Sequence, residues 1–122
     1  MSTGIIVFAH GSRIESANEA VRSVASELSR AGAFDRVEAA FLELGTPDLE
    51  GAVAKLQERG ARRIVVIPYF LTFGLHLDRD LTRLVRDISL KHKELEIAMT
   101  APLDGHPALV EVLLDRARSA LC

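Results

Sequence analysis

The chain has 122 residues, 48% hydrophobic and 26% charged, with 4 Pro and 8 Gly, a composition that buries one core and excludes intrinsic disorder. A formal net charge of -2 argues against a nucleic-acid binder with a broad cationic face. One Cys, at position 122, excludes an internal disulfide, and no apolar run reaches the ~18–20 residues of a membrane span. With no leader pattern after Met1, the expectation is a single cytoplasmic domain over residues 1–122, with neither nucleic acid nor membrane as partner.

Gly4 to Ala9 (GIIVFA) is continuously apolar and β-branched, as a strand covered on both faces should be. After His10-Gly11-Ser12-Arg13, the residues Ala17, Ala20, Val21, Val24, Ala25 and Leu28 recur at helical spacing, and Gly32 is a plausible stop. Arg36 to Phe41 reads as the second strand. Thr46-Pro47 reads as an N-cap with Pro in the first turn, before an inward stripe of Leu49, Ala52, Val53 and Leu56 closed by Gly60. Ile64 to Phe70 is the third strand, followed by a helical stripe of Leu77, Leu81, Leu84, Val85 and Ile88. Leu95 to Met99 is a weaker fourth strand. The last helix opens at Pro107 and carries Leu109, Val110, Leu113, Leu114, Ala117 and Leu121.

This βαβαβαβα alternation predicts an α/β fold, a four-stranded parallel sheet with helices on both faces, and 2-1-3-4 is the expected strand order. Ligands of such sheets bind beyond the carboxyl ends of the strands, which directs attention to the strand-to-helix loops. The first holds His10, Ser12 and Arg13, the second Glu43, the third Thr72, Gly74 and His76, and the fourth Asp104 and His106. Each has a plainer reading. His10 divides evenly between a structural histidine and a functional one until its place at the rim is counted. Glu43, between Leu42 and Leu44, either points to solvent or meets a cation or metal. His76 is a loop residue or an imidazole turned inward with Asp80 behind it. His106 caps the last helix or joins the site. Arg13 is a surface cation or a carboxylate clamp. His92, between Lys91 and Lys93, reads as a solvated helix end, and Cys122 suggests no function. Imidazoles and a carboxylate on one rim form an N/O donor set suited to Co, Ni, Fe or Zn as divalent ions. They also accept protons.

Four segments in order carry a resemblance: HGSR at His10 to Arg13 with Asn18 following, AFLELGTPDL at Ala40 to Leu49, PYFLTFGLHLDRDL at Pro68 to Leu81, and APLDGHP at Ala101 to Pro107. With these the chain resembles, nearly end to end, the small sirohydrochlorin chelatases of the CbiX type, which insert a divalent metal into a reduced tetrapyrrole. Tyr69 and Leu81 stand where that family commonly has leucine and isoleucine. The resemblance implies His10 and His76 as metal ligands and Glu43 as a third ligand or proton acceptor. Arg13 and Arg79 are then expected at the substrate's peripheral carboxylates, helped by Ser12 and Thr72. It also implies a metal substrate, Co2+ ahead of Fe2+ or Ni2+, no organic cofactor, a place in cobalamin or siroheme biosynthesis, and a homodimer with facing clefts.

Two rivals use the same residues. A domain with a histidine straight after its first strand is also similar to mannose-type sugar-transport subunits, in which that histidine is phosphorylated; a non-catalytic metal carrier would use the ligands without a macrocycle. Dinucleotide and P-loop fingerprints and the G-x-S-x-G elbow are absent from the sequence.

Overall fold

The computed structural model describes residues 2–121; Met1 and the lone Cys122 lie outside them. Strands β1 (Thr3–Ala9), β2 (Val37–Phe41), β3 (Arg63–Pro68) and β4 (Glu96–Met99) alternate with helices α1 (Glu15–Gly32), α2 (Leu49–Glu58), α3 (Leu75–Lys91) and α4 (Pro107–Leu121). All pairings are parallel and the order is β2-β1-β3-β4, the predicted 2-1-3-4. β1 is the most buried strand because helices cover both of its faces, α1 on one and α2 on the other, which is why its sequence shows no polar alternation.

Strand alternation divides the core in two. Ile6, Phe8, Ile64 and Val66 meet Leu49, Val53 and Leu56 of α2 and Leu81, Val85 and Ile88 of α3. On the opposite face Val7, Ala9, Ala39 and Phe41 meet Val21, Ala25 and Leu28 of α1.

Several local expectations give way to packing. α1 stops at Gly32 as expected, but the left-handed residue that closes it is Ala33, whose φ is 54 and whose N–H reaches the Arg30 carbonyl. A Cβ at Gly32 would lie 2.2 Å from the exposed Phe34 ring, which would have to shift to admit it. Asp48, not Thr46, caps α2, its Oδ1 accepting the Gly51 N–H at 2.8 Å. Pro47 stays with the strand-end loop, where its carbonyl accepts the Phe41 N–H at 2.9 Å, and its bond to Thr46 is cis. β3 stops at Pro68, two residues short of the expected end, as the ring nitrogen has no hydrogen to donate.

Two apolar stripes are wider than the surface that receives them. Ala17, Ala20 and Val24 of α1 are exposed. Among the described residues of α4 none is buried, and the helix forms no packed interface with the sheet, against the expectation that its leucines face inward.

Leu81 is fully buried at the center of the α3 contact. Leu81→Ala is expected to lower the unfolding free energy by about 2–5 kcal/mol, whereas Asp48→Ala, which removes only a cap, lowers it by about 1 kcal/mol. Urea unfolding followed by far-ultraviolet circular dichroism measures both.

Candidate metal and substrate rim

At the carboxyl edge of the sheet the pairing of β1 with β2 continues past the strands. The Leu42 N–H donates to the Ala9 carbonyl at 2.9 Å and the Glu43 N–H to the His10 carbonyl at 3.0 Å. This carries the two loops forward side by side, and His10 Nε2 lies 3.5 Å from Glu43 Oε1. Both side chains are more than half exposed, at 55% and 59%, so they are open to a ligand rather than locked in a core.

Two residues hold that geometry. Gly11 has φ of 96, and a Cβ there would fall 1.7 Å from the Glu43 carbonyl oxygen, a position no side chain can share. Asn18, the one buried polar side chain among the described residues, donates from Nδ2 to the Ser12 carbonyl at 2.9 Å and to the Leu44 carbonyl at 3.0 Å. Its Oδ1 accepts the Ser12 N–H at 2.9 Å. One amide thus ties the His10 loop to the Glu43 loop from below. Sequence reasoning gave Asn18 no role, although the signal was present: 18, 21, 25 and 28 form the three-and-four series that meets the sheet, and Asn18 is its polar member.

Arg22 adds a second tie, donating to the Thr46 carbonyl at 3.0 Å and lying 5.2 Å above the Phe41 ring. Glu15 pairs with it at 2.6 Å, and the guanidinium holds that carboxyl below its ordinary range.

The remaining predicted residues spread along the rim. His76 is in the first turn of α3 rather than in a loop, and no hydrogen bond joins it to Asp80 among the described residues. The same residues contain no group of three His, Cys, Asp or Glu side chains close enough to hold a metal ion, so the structure brings His10 and Glu43 together but does not add His76 to them. Ser12 is engaged in its own loop, its hydroxyl accepting the Ile14 N–H at 3.0 Å. Arg13 is exposed. Thr72 lines a depression of about 450 Å3 with Gly74, Asp78 and Asp104, and Arg79 lines a groove along α3 with Thr82, Arg83 and Arg86. The Asp104 N–H donates to the Leu71 carbonyl at 2.7 Å, joining the third and fourth loops as the first and second are joined.

His106 takes its plainer role: Nδ1 accepts the Ala108 N–H at 3.0 Å, capping α4. His92 is not the solvated end expected. Its side chain is largely covered between α3 and α2, with Nδ1 3.3 Å from Gln57 Oε1 and Nε2 3.6 Å from Glu50. A larger cavity, about 650 Å3, lies over the β2 edge, where Lys55 and Arg59 face Glu38 and no rim histidine takes part.

The fold and rim define an open α/β domain that presents an imidazole beside a carboxylate at a parallel sheet's carboxyl edge. The chain belongs to the CbiX family, which it matches over residues 4–120. It is 30% identical to a sirohydrochlorin cobaltochelatase of Methanopyrus kandleri, covering 96% of each chain, and 36% identical to one of Sulfolobus acidocaldarius, covering 97% of this chain and 92% of that one. It is also 32% identical to the chloroplastic sirohydrochlorin ferrochelatase of Arabidopsis thaliana, covering 97% of this chain and 52% of the plant protein. Among solved structures, a putative cobalamin biosynthesis CbiX protein from Marinobacter aquaeolei superposes with a TM-score of 0.85 at 25% identity, covering 98% and 97% of the two chains. These relatives lend no support to the sugar-transport-type reading.

Gly11→Ala is expected to separate the two loops and cost more than the ~1–2 kcal/mol of left-handed strain alone. Asn18→Ala, which takes the partner from part-buried backbone groups of Ser12 and Leu44, is expected to cost about 1–3 kcal/mol in all. Thermal unfolding with amide exchange at Ser12, whose N–H donates to Asn18, and at Glu43, whose N–H donates to the His10 carbonyl, reads out both, and unchanged protection at Ser12 in the Asn18 variant or at Glu43 in the Gly11 variant would remove its proposed role.

Proposed function

We propose that this protein is a sirohydrochlorin chelatase, in which residues 1–122 act as one domain that presents a divalent metal to a reduced tetrapyrrole and collects the protons displaced. The observation that carries the reading is the His10–Glu43 pair, an N donor and an O acceptor 3.5 Å apart on the sheet rim. Family membership supplies the substrate class, through relatives named for insertion into sirohydrochlorin.

Metal insertion breaks two pyrrole N–H bonds, releases two protons and exchanges the metal's water and protein ligands for four ring nitrogens. A protein catalyst must therefore hold the metal and then let it go. A neutral imidazole is a good transient ligand, and His10 is exposed where a planar ring can approach. His76, in the first turn of α3 on the same rim, is assigned as the second imidazole. Glu43 is assigned to take a pyrrole proton, with its distance from His10 allowing metal delivery and deprotonation at adjacent points of one macrocycle.

The substrate's carboxylates are assigned to Arg13 and Arg79, with Ser12 and Thr72 as hydrogen-bond donors. Ser12 has its hydroxyl hydrogen available, because the oxygen rather than the hydrogen serves the Ile14 N–H. Cobalt is the favored metal, since two of the relatives covering nearly this whole chain are cobaltochelatases, with Fe2+ and Ni2+ as competitors. No organic cofactor enters. We assign the reaction to the cytoplasm on the thiol-poor composition, and no described helix is long and apolar enough to cross a membrane. The working unit is assigned as a homodimer, because one rim forms an open edge and a large macrocycle is better enclosed by two.

Purified protein mixed with sirohydrochlorin and Co2+, Fe2+ or Ni2+ in turn, with absorbance compared against the uncatalyzed rate, tests the reading; no acceleration with any metal overturns it. The His10→Ala, His76→Ala double variant is expected to lose insertion while keeping its circular dichroism spectrum. Glu43→Gln is expected to lower kcat about 10^2–10^4-fold, the usual weight of a positioned acid–base group. Metal binding without any spectral change of the tetrapyrrole would mark a carrier instead.

A further inference from the structure

Two residues of the loops that Asn18 ties together are poor local choices. Leu44 has a left-handed backbone, with φ of 59, a region that leucine enters only at a steric cost. Among the described residues the other non-glycine case is Ala33, which closes α1, whereas Leu44 closes no helix. Packing does not offset the cost, because Leu44 is 49% exposed and belongs to neither core, while Leu42 packs against one of them. The backbone has its own reason to turn here, since the turn brings the Leu44 carbonyl to Asn18 Nδ2 at 3.0 Å. Glycine or asparagine would make the same turn with less strain. The adjacent glycine is placed for space instead, as a Cβ at Gly45 would stand 2.8 Å from the Phe41 ring.

Ile14 is the matching case on the first loop. It is the N-cap of α1, with φ of -85 and ψ of 109, a position where Ser, Thr, Asp or Asn supplies a hydrogen bond and isoleucine supplies none. α2 shows the ordinary solution in Asp48. Ile14 is 66% exposed, so the core does not require it either. Both anomalies are apolar, both are exposed, and both sit where the Ser12 and Leu44 carbonyls converge on one Asn18 nitrogen. They flank the polar pair of His10 and Glu43.

A site that held only a hydrated ion would gain nothing from exposed apolar neighbors. A planar ring does, because ligand sites cover most of their ligand with hydrophobic side chains and orient it with a few polar ones. We infer that Ile14 and Leu44 are substrate-contact residues, an apolar lip against which the face of the reduced tetrapyrrole rests beside His10 and Glu43. Contact from two loops joined at Asn18 sets how closely the ring approaches the imidazole. The inference rests on the chelatase reading and adds to it the groups that recognize the ring itself rather than its carboxylates. It also accounts for the strain: the local cost at each position keeps a side chain that the fold does not need.

The test separates ring binding from folding. Metal-free sirohydrochlorin is titrated into the full chain and followed by absorbance, and thermal unfolding of each variant is followed by circular dichroism. Leu44→Gly and Ile14→Ser are each expected to weaken ring binding about tenfold, the weight of one apolar side chain lost from a contact, while melting at or above the wild-type temperature. Leu44→Met, which keeps an apolar contact of similar volume, is expected to bind within about threefold of wild type. Should Leu44→Gly loosen the loop and melt lower, Leu44→Asn, which tolerates the left-handed turn, takes its place. Wild-type affinity in the variant at either position overturns the inference, and so does affinity lost only together with melting temperature, which marks a packing role. A wild-type protein that binds no sirohydrochlorin rejects the proposed function and this inference together. Metal insertion by a wild-type protein whose lip variants bind the ring as tightly rejects the inference alone.

Discussion

The hydrogen-bond ladder between β1 and β2 does not end where the strands do, and the rim depends on that extension. Backbone bonds from Leu42 to Ala9 and from Glu43 to His10 set two polar side chains next to each other at the edge of an otherwise apolar sheet. Backbone pairing makes a good scaffold for such chemistry because it is insensitive to what the side chains carry. The cost falls on the neighbors: Gly11 must have no side chain, and Asn18 must enter a dry layer to satisfy carbonyls that the turn leaves unpaired.

Most of the fold was legible because period and position coincide. Ile5 to Ala9 and Ile64 to Val66 are apolar without a break since both faces of the sheet are claimed, and the α2 and α3 stripes map onto one wide core. The misreadings arise where a residue serves a partner far away in sequence. Ala33 rather than Gly32 takes the left-handed turn that closes α1, its neighbor Phe34 donating to the Ser29 carbonyl; Thr46 and Pro47 belong to the loop beside Phe41, leaving the cap to Asp48. The α1 and α4 stripes are apolar as expected but wider than the surface that the sheet offers them, because periodicity shows an apolar face without showing what packs on it.

The candidate site was legible to a similar depth. His10 and Glu43 could be found from their positions after β1 and β2, and their proximity follows from the pairing of those strands. His76 is harder to place, since a helix that starts at Leu75 sets its direction by α3 packing rather than by the loop before it. Asn18 was overlooked because a polar residue within an amphipathic helix normally marks the wet side. Only the loop it supports explains why it faces the other way.

The near-contact between position 11 and the Glu43 carbonyl also limits how such a rim can diversify. Residues 10, 13 and 43 point outward and can be exchanged for other donors without disturbing the sheet, so the preferred metal or the acidic pattern of a ring can drift. Position 11 admits no such exchange, and the spacing between the imidazole and the groups that follow it is inherited as a unit. Variation in chemistry on this frame is therefore expected to come from swapping the side chains it holds, with the distance between them kept.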